Sequence, residues 1–336
     1  MKSRVDNTSL EKYMNGFLRI NSPGIMTTIQ DGGRLGYQGS GFPASGCMDA
    51  EAYEAANVLV NNPLNLGVLE MMLMGISGTF SVNTYIAITG ADAPISLNGK
   101  PVPRYKTLEV RAGDKIEIGM ARNGRFVYLA VAGGFDIPKV MGSYSTNLKC
   151  KIGGYKGRAL AEGDMVGIRE YTGFFPNLYL KEMPETTYEE EVLARVIPGP
   201  QFDFFTEKGK STFITEKYIV SDKSDRMGYR LEGGEIEYKD SVDILSDGIV
   251  FGSIQVPADG KPMILMADRQ TTGGYAKIGT IISADLPKVA QCMPGCKILF
   301  SFVSIEEAEK INKQYDKDLR RFRRKSGYVG SKGGVF

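Results

Sequence analysis

The chain has 336 residues, of which 42% are hydrophobic, and a formal net charge of +2 from 41 basic and 39 acidic side chains. This length predicts about two domains, and the charge balance gives no indication of a nucleic-acid or membrane partner. No apolar run is long enough to span a membrane, and the N-terminus lacks a secretion signal. Histidine is absent, which excludes Ser-His-Asp triads, Cys-His dyads and His-ligated zinc.

Four cysteines, Cys47, Cys150, Cys292 and Cys296, occur without a Cys-x-x-Cys pair. Scattered thiols in a long chain without a secretion signal indicate a reduced, cytoplasmic protein. Any catalysis must therefore use carboxylates, lysine, tyrosine, backbone amides or a metal held by oxygen.

In chain order, short β-rich runs alternate with turns that are rich in glycine, which makes up 41 residues against an average of about 7%. The predicted strands cover residues 79–88, 125–132, 193–197, 254–256, 263–266 and 297–303. The predicted helices cover residues 50–60, with Asp49 as N-cap, 284–291 and 305–325. We therefore predict a mainly β protein with a few short helices, built as a sandwich or barrel.

Three segments, at residues 111–118, 161–168 and 293–300, share a small turn with glycine followed by alternating apolar positions. Each predicts a turn that enters a strand. The domain boundaries that we predict are a disordered leader at 1–16, an N-terminal β domain at 17–170, a linker rich in Pro, Thr and Glu at 171–190, a C-terminal β domain at 191–303 and a charged helical tail at 304–336.

The first polar motif is the glycine-rich stretch 31–49, which is either a ligand loop that presents Asp31, Arg34 and Asp49 or a structural loop before a helix. Its match to the dinucleotide fingerprint lacks a preceding strand–turn context and contains Pro43, so we do not predict a dinucleotide site.

Two further motifs each allow two interpretations. In the stretch 133–154, Ser143, Ser145 and Thr146 either bind an anion together with backbone amides or serve as turn residues. In the stretch 224–230, Arg226 is either part of a structural ion pair or a fork for phosphate or carboxylate.

The densest motif is MADRQTTGGYAK, at residues 266–277, which has apolar runs on both sides. Such flanks predict a polar loop at a strand end over a packed core, where rigid scaffolds carry function. An elaborate turn is the alternative. No P-loop and no kinase signature set is present.

Long blocks of the sequence carry a family likeness in a fixed order. They include TTIQDGGRLGYQGSGFPASGCMDAEAYEAAN, GADAPISLNGKPV, YLAVAGGFDIP, GSYSTNL, SDRMGYRLEG and IQVPADGKPMILMADRQTTGGYAKIGTIISADLP. The chain resembles the biotin-dependent carboxyltransferase-like family, also described as allophanate hydrolase subunit 2-like, over about residues 17 to 303. The resemblance implies tandem cyclophilin-like β-barrel domains.

The resemblance also implies one component of an ATP-dependent 5-oxoprolinase, which opens 5-oxo-L-proline to L-glutamate. The implied partners are the other two components of that enzyme: its B protein, similar to allophanate hydrolase subunit 1, and its A protein. The implied cofactors are ATP and Mg²⁺, with no biotin attached to this chain.

From the resemblance together with these motifs we assign hypothetical roles. Arg269, Arg226 and Lys277 would neutralise phosphate or substrate carboxylate. Asp268, or as second choice Asp225, would hold magnesium. The remaining candidates would contact the lactam or the nucleotide: Asp31, Arg34, Asp49, Gln255, Gln270, Thr271, Thr272, Gly273, Gly274 and Tyr275.

Two alternatives stay open. One is a carboxyltransferase component of a urea carboxylase-like enzyme, with biotin on another protein. The other is a non-enzymatic antagonist of a kinase-inhibitor protein.

Overall fold

Strands form most of the regular structure in the computed structural model, which describes residues 16–171, 181–240 and 243–325. The strands are β1 Phe17–Ser22, β2 Met26–Gln30, β3 Val68–Met72, β4 Ser77–Phe80, β5 Thr84–Asp92, β6 Ile95–Leu97, β7 Lys100–Pro101, β8 Thr107–Val110, β9 Lys115–Ile118, β10 Asn123–Val131, β11 Met165–Gly167, β12 Glu191–Pro198, β13 Tyr218–Val220, β14 Gly228–Glu232, β15 Asp243–Gly248, β16 Ser253–Gln255, β17 Met263–Leu265, β18 Thr272–Tyr275, β19 Lys277–Ile281 and β20 Lys297–Phe302. The helices are α1 Ala50–Leu59, α2 Glu207–Thr215, α3 Leu286–Ala290 and α4 Ile305–Lys325. The prediction of a mainly β protein with few helices is confirmed.

Two antiparallel sheets, in the orders β11-β1-β4-β9-β6-β7 and β2-β3-β10-β5-β8, form the N-terminal unit. Strand β10 shows how they pack, because successive side chains of a strand point to opposite faces. Val127 and Leu129 lie in the core between the sheets. Tyr128 and Ala130 lie in a second core, which includes residues of α1 and of the following unit. The second sheet is therefore buried on both faces.

The C-terminal unit is a closed barrel in the order β12-β19-β16-β17-β14-β13-β20. Strands β12 and β20 pair in parallel, with Glu191 opposite Lys297 and Val196 opposite Phe302. A two-stranded ribbon of β15 and β18 accompanies the barrel. The polar segment 266–277 leaves β17, forms one strand of this ribbon and enters β19.

Gln291, directly after α3, joins the two units. Its Nε2 donates to Asp49 Oδ2 at 2.8 Å and to the Phe126 carbonyl at 3.0 Å. Its Oε1 accepts from the Arg125 and Phe126 amides at 2.7 and 2.8 Å. One side chain thus forms hydrogen bonds with four polar groups of the N-terminal unit. Polar groups that are buried in a contact need such partners.

The predicted turn-to-strand segments are confirmed. Gly113, Gly163 and Gly295 have φ of 91°, 83° and 89° and precede β9, β11 and β20. Glycine adopts such left-handed backbone conformations without steric cost.

The helix predictions are close to the observed bounds, and residues 305–325 coincide with α4. The single strand predicted at residues 79–88 is wrong, because the run divides into β4 and β5. The reason is a turn at Ser81, whose amide donates to the Phe17 carbonyl at 2.9 Å and whose Oγ accepts from the Phe17 amide at 2.8 Å.

The predicted leader lies outside the described residues except for Gly16, and so do positions 172–180 of the linker and 326–336 of the tail. Across the described ranges, no helix has both the length and the apolar character that a membrane span needs.

Helix α4 packs on α1 through charged and aromatic contacts. Arg323 forms an ion pair with Glu54, and Phe322 packs against the core that contains α1. Tyr315 and Glu51 line the same cleft. Burial raises the pKa of Glu51 from 4.5 to about 7, and the charge of Asp49 acts in the same direction.

We predict that Gly90→Ala destabilises the protein by about 3 kcal/mol and Gly99→Ala by about 1 kcal/mol. Both glycines have positive φ, 88° and 75°. A Cβ on Gly90 would lie 2.3 Å from the Phe126 carbonyl oxygen, whereas a Cβ on Gly99 would meet open space. Urea unfolding of both variants measures the difference, and equal losses would contradict it.

We predict that Glu51 makes stability fall as pH rises from 4.5 towards 7. In this window the folded protein holds a proton that the unfolded chain has released, because the folded pKa of Glu51 is raised, so unfolding is favoured at the higher pH. Glu51→Gln should reduce this decline in thermal midpoints measured over the window. The exposed Glu307→Gln, on α4, serves as control and should keep the wild-type slope.

Candidate functional site

The 266–277 segment buries its charged side chains and exposes most of its other polar ones. Asp268, Arg269 and Lys277 are 9%, 8% and 4% exposed. Of the remaining candidates, Gln270, Thr272 and Tyr275 are exposed and Thr271, Gly273 and Gly274 are half-buried. The buried charges follow β17 and begin β19, so the barrel strands fix their positions.

Arg226 is the centre of a buried ion-pair cluster. Its Nε donates to Asp268 Oδ2 at 2.8 Å and its Nη2 to Asp268 Oδ1 at 3.2 Å. Its Nη1 donates to Glu70 Oε1, and its Nη2 also donates to the Gly46 carbonyl at 2.7 Å. One guanidinium therefore connects the barrel with β3 and with the 31–49 loop.

The Arg226 cluster continues through the N-terminal unit. Glu70 Oε2 accepts from the Met48 amide at 2.8 Å and from the Tyr128 hydroxyl at 2.9 Å. The same hydroxyl accepts from the Asp49 amide at 2.8 Å. Every member therefore has hydrogen-bond partners inside the protein.

Burial and neighbouring charges shift the pKa values of Arg226 and Glu70 in opposite directions. Burial alone would lower the pKa of Arg226, but the charges of Asp268 and Glu70 outweigh it, so the pKa is raised. Burial raises the pKa of Glu70, although the charge of Arg226 opposes the shift. Arg226 is therefore a fixed cation, held by two carboxylates, and takes no part in proton transfer.

Asp31 links the two glycine-rich motifs. Its Oδ1 accepts from the Ser143 and Ser145 hydroxyls, both at 2.6 Å, and from the Gly33 amide at 2.9 Å. Its Oδ2 accepts from the Tyr144 amide at 2.7 Å. The structure thus gives Asp31 and both serines a role in fixing the loops.

Arg34 is fully buried and only partly satisfied. Its Nε donates to the Val140 carbonyl at 3.1 Å and its Nη2 to the Ser145 carbonyl at 2.8 Å. Its Nη1 is buried and has no hydrogen-bond partner among the described residues. Burial lowers the pKa of Arg34, with the charge of Asp31 as the largest opposing contribution.

Asp49 caps α1, as predicted, by accepting from the Ala52 amide at 3.0 Å. Its other oxygen accepts from Gln291 at 2.8 Å and from the Tyr188 hydroxyl at 3.0 Å. Asp49 therefore holds a helix end and a contact between the units.

A second group of candidates lies beside the β15–β18 ribbon. Lys277 forms an ion pair with Asp247 and donates to the Gly248 carbonyl at 2.9 Å. Gln255 donates to the Tyr275 carbonyl at 3.3 Å, while its Oε1 is buried without a partner among the described residues.

Arg269 belongs to the same group and is the least satisfied charge of the segment. Its Nε and Nη1 donate to the Ile249 and Met266 carbonyls at 3.4 and 3.2 Å, and its guanidinium lies 5.7 Å from the Phe251 ring centre. Within the described part of the chain, no carboxylate forms an ion pair with it. Burial lowers the pKa of Arg269 to about 10.

The donor set at Asp268 does not fit a magnesium ion. Both of its oxygens accept from Arg226, whereas Mg²⁺ needs free oxygen ligands in near-octahedral geometry. Residues 16–171, 181–240 and 243–325 contain no group of three acidic, cysteine or histidine side chains placed to hold a metal. We therefore derive no step through a metal ion on this chain.

The sequence reasoning missed Glu70, Tyr128 and Asp247. A signal existed for two of them: Glu70 is the only charged residue of the apolar strand VLEMM, and Tyr128 carries the only side-chain hydroxyl in FVYLAV. Asp247 gave no signal, because neighbouring acids such as Asp240 and Asp243 looked equivalent.

Clefts of about 550, 510 and 320 Å³ lie elsewhere on the molecule. None of the predicted site residues lines them.

We predict that Arg226→Met destabilises the chain by about 3–5 kcal/mol, because it leaves Glu70 and Asp268 buried without their cation. The matched control Lys115→Met removes the cation of the exposed Lys115–Glu117 pair and should leave the unfolding midpoint nearly unchanged. Chemical denaturation of both variants measures the effect. An Arg226→Met midpoint as close to wild type as that of the control would contradict a structural role for the cluster.

The comparisons with known proteins agree with the described architecture. The profile of the family described as carboxyltransferase domain, subdomain A and B, matches residues 40–302. The C subunit of 5-oxoprolinase from Haemophilus influenzae is 37% identical over 297 residues, which cover 88% of this chain and 94% of that protein. The C subunit of 5-oxoprolinase from Escherichia coli is 38% identical over 293 residues, which cover 87% of this chain and 93% of that protein.

Among solved structures, the Kluyveromyces lactis urea amidolyase superimposes with a TM-score of 0.83 at 29% identity, over 92% of this chain and 20% of that chain. The Kluyveromyces lactis urea carboxylase superimposes with a TM-score of 0.84 at 28% identity, over 92% of this chain and 29% of that chain. This chain thus spans only about a fifth of the urea amidolyase. On the profile match and the near full-length relatives, the chain belongs to the family of the carboxyltransferase domain, subdomain A and B.

Proposed function

We propose that this chain is the C component of an ATP-dependent 5-oxoprolinase, which opens 5-oxo-L-proline to L-glutamate together with the A and B proteins of that enzyme. The observation that carries the proposal is the similarity to the 5-oxoprolinase components from Haemophilus influenzae and Escherichia coli, which extends over 94% and 93% of their lengths. By contrast, the match to the Saccharomyces cerevisiae urea amidolyase takes only 18% of that protein.

The proposed chemistry suits a chain without histidine. A five-membered lactam is a stabilised amide that water attacks slowly. Transfer of a phosphoryl group from ATP to the amide oxygen makes the carbon electrophilic and creates a leaving group. This transfer depends mainly on positioning and on neutralising negative charge. Guanidinium groups and backbone amides supply both.

Arg269 is the best candidate for direct contact with the substrate anion. Its two hydrogen bonds to carbonyls are long, at 3.4 and 3.2 Å, and its burial strengthens any interaction with a carboxylate or phosphate. Gln255 has a buried Oε1 without a hydrogen-bond partner among the described residues, so it is a candidate acceptor for an N–H such as that of the lactam.

The other charged candidates act by positioning. Arg226 and Asp268 neutralise one another, and Lys277 is paired with Asp247. We propose that these pairs fix the barrel, its ribbon and the 31–49 loop around Arg269 and Gln255.

The proposed reaction places the enzyme in the cytoplasm, where ATP is available. All four cysteines are free thiols in the structure, in keeping with a reducing compartment.

A carboxyltransferase function is the second candidate. It is favoured by the TM-score of 0.84 to the Kluyveromyces lactis urea carboxylase. In that case biotin would arrive on another protein, and the reaction would consume bicarbonate in proportion to product. An assay distinguishes the two functions. It mixes this chain and the A and B proteins with 5-oxoproline and ATP, and it is run with and without bicarbonate. Glutamate formation that does not depend on bicarbonate supports the oxoprolinase.

We predict that glutamate forms when this chain and the purified A and B proteins are mixed with 5-oxoproline and ATP, and that omission of this chain abolishes it. Arg269→Gln should lower the rate by about 100-fold, because one buried donor to the developing charge is lost, while the complex still assembles in a pull-down. Arg230→Gln, an exposed arginine on β14 of the same barrel, is the matched control and should keep wild-type activity. Full activity without this chain would contradict the proposed function, and full activity of Arg269→Gln would contradict the role of that residue.

A further inference from the structure

A cleft of about 230 Å³ lies where α4 returns to α1. Four parts of the chain line it: the first turns of α1, the second half of α4, residues 184–188 ahead of the barrel, and Tyr105. None of the predicted site residues belongs to this lining. The family profile ends at residue 302, so the wall that α4 provides lies outside the matched part of the chain.

Helix α4 turns one side towards this α1–α4 cleft. Its lining residues are spaced by three, four and seven positions, which places them on one side of a helix: Tyr315, Asp318, Leu319 and Phe322. Helix α1 contributes Glu51 and two alanines, Ala52 and Ala55. The small alanine side chains leave room between the two helices, and the cleft occupies this room.

Two tyrosines of the lining are held in place by hydrogen bonds. The Tyr188 hydroxyl donates to Asp49 Oδ2 at 3.0 Å, and the Tyr188 amide donates to Asn123 Oδ1 at 2.9 Å. The Tyr105 hydroxyl accepts from the Gly90 amide at 3.1 Å. Because folding already orders these rings, a ligand that contacts them pays little further entropy for their ordering.

The charged side chains of the lining are carboxylates. They are Glu51 and Asp318, and the lining contains no lysine or arginine. Within the described part of the chain neither carboxylate forms an ion pair, and Arg323 of the same helix pairs with Glu54 instead. Burial raises the pKa of Glu51 to about 7, whereas a neighbouring cation would lower it. The cleft therefore offers negative charge without a counter-charge.

Arg104 is a cation close to the wall of the cleft, but it does not line the cleft. Its guanidinium lies 5.7 Å from the Tyr105 ring centre. It forms ion pairs with Glu185 at 2.8 Å and with Asp92 at 3.6 Å. The charge of Arg104 is therefore compensated by these two acids and not by the carboxylates of the cleft.

We propose that the α1–α4 cleft is a binding site for a small organic ammonium ion with apolar substituents, such as methyl groups. The tyrosine rings contact the substituents, and their π faces attract the charge. Glu51 is the ionic partner, and the exposed Asp318 adds negative charge at the surface. A metal ion suits the cleft less well, because among the residues that the structure describes no three acidic, cysteine or histidine side chains are placed to hold one.

The test is a calorimetric titration of the full-length chain with choline chloride at constant ionic strength and at about pH 8, where Glu51 is mostly ionised. Two further probes separate charge from shape. Dimethylbutanol is the neutral carbon analogue of choline, and ammonium chloride supplies the charge without the methyl groups. We expect choline to bind, and both probes to bind at least about tenfold more weakly. No binding of choline, or equal binding of either probe, would overturn the proposal.

Two variants and a matched control place the ligand in the cleft. Glu51→Gln removes the ionic partner and should weaken choline binding by about tenfold, and Tyr315→Leu removes one ring and should weaken it by about fivefold. Asp316→Asn removes a carboxylate from the same helix outside the lining and should bind choline as the wild type does. Choline affinities of the two variants that match that of the control would overturn the assignment.

Asp318→Asn keeps the test decisive if either of the less exposed changes disturbs folding, which the thermal midpoint of each variant reports. Asp318 is exposed, so this variant should fold as the wild type does. Loss of a surface carboxylate should weaken choline binding by about threefold. A folded Asp318→Asn protein with wild-type affinity for choline would contradict the placement of the ligand.

Discussion

A buried guanidinium between two carboxylates holds this molecule together. Arg226 pairs with Asp268 of its own barrel and with Glu70 of the neighbouring sheet. Removing three charges from water is costly, and only close hydrogen-bonded geometry offsets the cost. The cluster therefore specifies one arrangement of the two units: any displacement would leave a buried charge unpaired. The 31–49 loop is fixed to the same group through the Gly46 carbonyl.

The ion pairs inside the protein decide which polar groups keep unused hydrogen-bonding capacity. Arg226, Asp268 and Lys277 have ionic partners inside the protein, and Asp31 and Asp49 accept bonds from several donors. Among the predicted site residues that the structure describes, Arg34 Nη1 and Gln255 Oε1 are buried without a hydrogen-bond partner, and Arg269 has long hydrogen bonds and no ion pair. Two of these three groups are donors, in keeping with the anionic, amide-like substrate that we propose. A fixed cation among carboxylates supports such a site without exchanging protons.

The regions around this centre add features of their own. The family profile ends at residue 302, yet α4 begins at Ile305 and returns to α1 through the Arg323–Glu54 ion pair. Helix α1 begins at the contact between the units, where its N-cap Asp49 accepts from Gln291. Protonation of Glu51, two residues further on, would therefore be felt close to this contact.

The sequence by itself determined the local structure. Most strand runs, the N-cap at Asp49, the turn glycines at 113, 163 and 295 and the bounds of α4 follow from backbone preferences over a few residues. The family likeness indicated barrels, and the C-terminal unit is a closed barrel. Only the tertiary structure decided which charges meet. Arg226 and Glu70 are 156 residues apart, and Asp31 and Ser143 are 112 apart. Such pairs depend on strand register and on how two units dock, and no local preference encodes either. Dense polar sequence therefore marked a set of candidate residues, while the division between those that pair inside the fold and those that keep unpaired groups required the packed structure.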